Sequence, residues 1–229
     1  VYIGSLNISS ASLVGRELTL KLEGEIAQSF TKSFMRSWES YGDFNSRRMK
    51  SIFYKGFEII QYFPSYVYRL TEKKNINLIK QAKKEIKIET PYFIPSSGLR
   101  NALVKAVKKN VKIQIILPYK TSVRTIDLLR NRYLGRLHNI GVKIYYYKDE
   151  TPLSKNLIID SRRYKPEDLH SKLLIVDNKF FLLGSSNLDY RSFIYQYEIN
   201  FFGKDSKIID SLNKHFNETL LKSKPFNYD

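Results

Sequence analysis

The sequence predicts an α/β protein made of two similar halves, the first of them incomplete. Two observations carry this reading. From about residue 72 onward, apolar strand-like runs alternate with amphipathic helical stripes. In addition, an internal repeat links residues 1–40 to the C-terminal part of the chain.

The alternation runs as follows. Ile76, Ile79, Ala82 and Ile86 recur at helical spacing, and Ile86-Lys-Ile-Glu-Thr90 then reads as a strand. Leu99, Ala102, Leu103, Ala106 and Val107 give the next helix, followed by the strand Val111–Leu117, which Pro118 stops. A helix over roughly 123–139 ends ahead of Gly141, a residue suited to a helix C-terminus. Val142–Tyr147 is rich in β-favouring residues. Residues 149–168, with Pro152 and Pro166 among mixed charges, read as an inserted excursion. Leu173-Leu-Ile-Val176 is uniformly apolar and reads as a buried strand. Strands alternating with helices predict a mixed, largely parallel sheet flanked by helices.

The repeat is visible residue by residue. The chain opens Val1-Tyr-Ile-Gly4-Ser5-Leu-Asn7 and later reads Phe181-Leu-Leu-Gly184-Ser185-Ser-Asn187. Each copy then reaches a glutamate, Glu17 or Glu198, at a β-like stretch, and passes a glycine, Gly24 or Gly203, into an amphipathic helix. The helical stripes are Ile26, Phe30, Phe34, Trp38 and Ile209, Leu212, Phe216, Leu220. Aligned on the glycines, Val1 corresponds to Phe181, so the first copy's counterpart of the segment before Phe181 is expected upstream of Val1. Three regions follow: 1–40 as the remnant of a first half, 41–70 as an aromatic and basic connection, and 71–229 as a complete second half.

Composition narrows the partners. Thirty-nine Lys+Arg against 22 Asp+Glu give a net charge of +17, which favours anionic partners, either nucleic acid or an acidic bilayer surface. No apolar run reaches the length of a membrane span. Cysteine is absent, so disulfides and thiolate metal sites are excluded. The three histidines are far apart in sequence and suggest no metal; His138 and His215 read as helix-surface residues.

The chemistry concentrates in His170-Ser-Lys172-Leu-Leu-Ile-Val-Asp177, followed by Gly184-Ser185-Ser-Asn187. An imidazole can attack phosphorus or pass a proton near neutral pH. An ammonium, a hydroxyl and an amide can hold non-bridging oxygens while charge builds on them. Side chains alternate along a strand, so His170 and Lys172 share a face.

The order H-x-K-x(4)-D-x(6)-G-S-x-N resembles the signature of the phospholipase D superfamily. Thr90-Pro-Tyr-Phe-Ile-Pro95 and Asn187-Leu-Asp-Tyr-Arg-Ser-Phe193 look like segments of bacterial cardiolipin synthases and related phospholipase D-like proteins. The resemblance implies two phospholipase D-like halves and metal-free phosphatidyl transfer or phosphodiester hydrolysis through a phosphohistidine, with no cofactor. It implies an anionic phospholipid and a membrane surface as partners, with membrane association at a bacterial inner membrane. His170 becomes the acid/base and Glu17 its support, while Glu198 supports the other histidine. Lys172, Ser5, Asn7, Ser185 and Asn187 form the phosphate cradle, and Asp177 and Gly184 are structural. The alternatives are a nuclease acting on DNA or RNA, assembled as a homodimer if the first motif is absent, and a catalytically incomplete binding module.

Overall fold

Leu173–Val176 lies at the centre of the molecule, and its four apolar side chains divide between two cores. Leu174 and Val176 pack into one, and Leu173 and Ile175 into the other. A strand covered on both faces needs no polar side, which explains the unbroken apolar run. The computed structural model describes residues 1–8, 15–39, 51–121, 124–148 and 169–227, the side chains of 124–126 excepted. The expected excursion at 149–168 and residues 41–50 of the connection lie outside the described residues.

In chain order the elements begin with β1 (Tyr2–Gly4), β2 (Thr19–Lys21), α1 (Glu25–Glu39), β3 (Ile52–Tyr54) and β4 (Phe57–Tyr62). Next come α2 (Leu70–Gln81), β5 (Glu85–Glu89), β6 (Phe93–Ile94), α3 (Ser97–Lys108), β7 (Lys112–Pro118), α4 (Arg124–Asn139) and β8 (Lys143–Tyr147). The motif region follows as β9 (Leu173–Val176), β10 (Phe180–Gly184), β11 (Leu188–Asp189), α5 (Tyr190–Ile194) and β12 (Glu198–Gly203). The chain closes with α6 (Ser206–Leu221) and β13 (Ser223–Pro225). Among the described residues, no helix is long and apolar enough to cross a membrane.

A nine-stranded sheet in the order β13-β8-β7-β5-β9-β10-β12-β4-β3 forms the scaffold. Its strands β5, β7 and β8 run parallel, joined by the crossover helices α3 and α4, as the alternation predicts. The other neighbours are antiparallel, so the sheet is mixed as expected, with its parallel part limited to β5, β7 and β8. The reason is connection length: β9–β10 and β3–β4 are joined by tight turns, which can only produce antiparallel partners. The hairpin β3–β4 comes from the stretch expected as a connection; it extends the sheet beyond β12, with Asn200 opposite Ile60. Helices α2, α3 and α4 cover one face through Leu78, Ile79, Leu99, Leu103, Leu134 and Leu137. The other face takes Ile209 and Leu212 of α6, Phe30 of α1, and Ile3 and Leu18 from the N-terminal repeat.

The stripe expected on α1 is only half correct. Phe30 is buried, but Phe34 and Trp38 are 58% and 70% exposed and stack on each other. Spacing of four advances about 40° around a helix per step, so the stripe drifts off the buried face over three steps. Ser33 and Ser37, both bonded to Gln61 of β4, complete the contact instead.

Asp177 terminates β9 and shows what a motif carboxylate does at a strand end. At φ 55° it turns the chain, and its oxygens accept the backbone N–H groups of Lys83, Lys84 and Glu85 at 2.8, 2.7 and 3.0 Å. This ties the β9–β10 turn to the start of β5. Asp177→Ala should lower the free energy of unfolding by about 1–3 kcal/mol, measured by denaturant titration. A change below a few tenths would mean that water serves these N–H groups equally well.

Candidate active site

The Gly-Ser turns of the two repeats have the same local construction. Ser5 N–H donates to the Leu18 carbonyl at 2.8 Å, and Ser185 N–H to that of Ile199 at 3.0 Å. Each serine hydroxyl accepts the same partner's N–H, Leu18 at 2.9 Å and Ile199 at 3.0 Å. Each donates to the preceding glutamate: Ser5 to Glu17 at 2.5 Å, Ser185 to Glu198. Glycine is required beside both, because a Cβ on Gly4 would stand 2.0 Å from the Leu18 oxygen and one on Gly184 2.2 Å from the Ile199 oxygen. The serine hydroxyl protons are thus engaged by carboxylates, and each serine holds its glutamate in position.

The N-terminal repeat is brought against the motif strand by backbone pairing. His170 N–H donates to the Arg16 carbonyl at 2.9 Å and Ser171 N–H to the same oxygen at 3.2 Å. Arg16 is fixed in turn on α6, through Thr219 Oγ1, the His215 carbonyl and Glu218, each at 3.1 Å. This aims the next side chain, Glu17, at His170, whose Nδ1 lies 3.0 and 3.1 Å from its two oxygens. With Nδ1 engaged by the carboxylate, Nε2 is the ring nitrogen left to exchange a proton with a substrate.

Lys172 is buried, and its Nζ donates to the His170 carbonyl at 2.7 Å. Loss of solvent pulls its pKa down to about 7, against the opposing pull of Glu17, Glu198 and Asp189. Burial pushes Glu198 and Asp189 up from the ordinary carboxylate range, although hydrogen bonds from Ser185 to the first and from Ser192 to the second work against it. Asn187 is half-buried beside this group; its N–H donates to Ser192 Oγ at 3.2 Å, while its side-chain oxygen is buried without a partner among the described residues. Asn7 stands exposed in the equivalent turn. The arrangement offers one imidazole held by a carboxylate, one ammonium close to its titration point, and amides at the turn.

Above pH 7 the lysine loses its proton in the folded chain while the unfolded chain keeps it, so its contribution to stability rises from about pH 7 to its unfolded value. Anion binding runs the opposite way, since only the ammonium attracts an anion. Sulfate does not titrate in this range, and its affinity should fall as pH rises from 6.5 to 8.5. Lys172→Met should remove most of that slope in calorimetric titration; an equal slope in the variant would place the titrating group elsewhere.

Three site features were not legible in the sequence. Glu89 of β5 is buried and accepts Ser171 Oγ at 2.5 Å and His215 Nε2 at 3.0 Å. His215 is therefore not the helix-surface residue its polar neighbours suggested; its side chain is 13% exposed. Asp189, inside a segment noted only for resemblance, lies close enough to Lys172 to act on its charge. Only the fold makes Glu89, Ser171 and His215 neighbours, and no local pattern announces them. Among the described residues, no group of three or more His, Cys, Asp or Glu is placed to hold a metal ion.

Fold and motif together define a member of the phospholipase D superfamily. Residues 75–220 match the family described as "Cardiolipin synthase, PLD-like domain", and the chain belongs to that family. It is 27% identical over 237 residues to a cardiolipin synthase of Listeria innocua, and 28% identical over 241 residues to one of Oceanobacillus iheyensis. Each match takes in 97% of this chain but 46% of the relative, so the chain spans about half the length of these proteins. Among solved structures, NucT from Helicobacter pylori superposes with a TM-score of 0.58 at 20% identity, covering 74% of this chain and 99% of that one. The phosphatidylserine synthase of Haemophilus influenzae gives 0.58 at 14% identity, covering 90% and 48%. At these identities the structural likeness concerns the fold.

Proposed function

We propose that the chain carries one half of a phosphodiester-transfer site that works on phospholipids, by phosphatidyl transfer to an alcohol or by hydrolysis. The observation that carries this is the contact of His170 with Glu17, a carboxylate delivered by the other repeat. In this reading the histidine of the first half's motif copy attacks phosphorus, forming an N–P bond as the P–O bond to the leaving alcohol breaks. His170, protonated at the start, gives that alcohol its proton through Nε2 and then takes one from the incoming water or alcohol, whose oxygen bonds phosphorus as the N–P bond breaks. Glu17 fixes the ring of His170, and Glu198 does the same for the second histidine. Lys172, Asn187 and Asn7 hold the non-bridging oxygens, with Ser5 and Ser185 acting through the glutamates they bond. The relatives' description as cardiolipin synthases supports a lipid substrate and membrane association, and net charge +17 supports nucleic acid as the alternative substrate.

The test compares the chain alone with the chain joined to an upstream segment that supplies a second H-x-K-x(4)-D. Both are assayed with a chelator present, on phosphatidylglycerol vesicles and on single-stranded DNA. The extended protein should turn over lipid, and the chain alone should be nearly inactive at nanomolar concentration. Turnover of DNA but not lipid would overturn the substrate, and full activity of the dilute monomer would overturn the two-histidine requirement. Activity that grows with dimer formation would favour a site shared between two copies.

A further inference from the structure

Beside Asn187 a cleft of about 630 Å3 opens to the surface, lined by Tyr92, Ile94, Asp189, Tyr190, Arg191 and Tyr195 among others. Its outer edge is aromatic and exposed. Tyr195 is 57% exposed and Tyr190 41%. Next to Tyr195 stands Tyr66, 64% exposed, edge-on to it, the two hydroxyls sharing one hydrogen bond of 2.5 Å. Val67 and Tyr68 continue the edge, and Tyr197 adds a ring set edge-on against Phe63 at 4.4 Å. Basic groups flank it: Arg191 at the cleft, Arg69 bonded to the Tyr66 carbonyl, and Lys73 near that of Val67. Rings with polar tips, backed by cations, suit the boundary between water and hydrocarbon. Because one of the Tyr66 and Tyr195 hydroxyls donates to the other, only one O–H proton of the pair still needs an acceptor when the rings enter a less polar layer.

We infer that this tyrosine rim is the surface by which the protein docks on an anionic phospholipid bilayer, with the cleft as the route from bilayer to Asn187. The inference rests on the lipid reading proposed above and specifies how the lipid arrives. Nucleic acid fits the rim less well. Stacking needs open ring faces, whereas Tyr66 and Tyr195 stand edge-on to each other, as do Phe63 and Tyr197.

Vesicle binding tests this without turnover. The protein is sedimented at 0.15 M salt with vesicles of phosphatidylglycerol and phosphatidylcholine in equal parts, and with phosphatidylcholine alone. It should bind the first and not the second. Tyr66→Ser/Val67→Ser/Tyr195→Ser should weaken binding by about tenfold or more, since affinity follows the apolar area inserted, with thermal unfolding and single-stranded DNA affinity unchanged. As a direct readout, Tyr195→Trp in a Trp38→Phe background should be quenched by lipids brominated on their acyl chains. Undiminished vesicle binding by the triple variant, an unquenched Trp at 195, or loss of DNA affinity in place of vesicle affinity would each overturn the docking surface. Rim-dependent binding by a protein whose extended form shows no lipid turnover would instead overturn the proposed reaction and leave the surface standing.

Discussion

His170→Ala, in the form of the protein that shows turnover, is expected to slow phosphodiesters with poor leaving alcohols by about 10^2–10^4-fold. Substrates with an activated leaving group, such as a nitrophenolate, should lose far less, because that group departs without a proton. The split follows from geometry: Glu17 engages Nδ1, which leaves Nε2 to meet the leaving oxygen. Glu17→Gln should show the same selectivity more weakly, since the amide can still hold the ring but carries no charge. Equal loss on both substrate classes, with loss of covalent phosphate on the protein, would reverse the roles and make His170 the nucleophile.

Glu89→Ala should be the most destabilising single change near the site, lowering the free energy of unfolding by about 2–4 kcal/mol. The carboxylate is buried and holds two donors from different elements, Ser171 on the motif segment and His215 on α6. Alanine leaves both donors unpaired in a poorly solvated place and removes the link between α6 and the strand that positions His170 and Lys172. Glu89→Gln keeps an acceptor of the same shape and should recover at least half of the loss. Denaturant titration of both variants decides the matter; equal stability of Glu89→Ala and the parent protein would show that water fills the site at no cost.

Much of this protein is present in local sequence. The crossover helices and strands of residues 97–147 follow from periodicity, because each element buries one continuous face and the spacing of its apolar residues records that face. The central strand is legible for the opposite reason, as both of its faces are covered. The Gly-Ser turns are legible because each glycine sits where no Cβ fits. Periodicity fails where polar contacts fix an element, as on α1, where Ser33 and Ser37 face the hairpin and two aromatic residues do not.

The sequence by itself determined the motif, the repeat, the α/β class and the excess of positive charge, all of which are properties of neighbours along the chain. The family resemblance implies that Glu17 serves His170, but the contact itself, and the meeting of Glu89 with His215, come only from the tertiary structure. Glu17 reaches His170 from 153 residues away because Arg16 pairs with the motif backbone, and Glu89 meets His215 across 126 residues because α6 packs on the sheet. It also decided that Lys172 is buried among carboxylates and that Tyr66 and Tyr195, 129 residues apart, meet at the surface. Burial and through-space charge depend on what lies within a few ångströms after folding, and no spacing rule along one strand or helix records that.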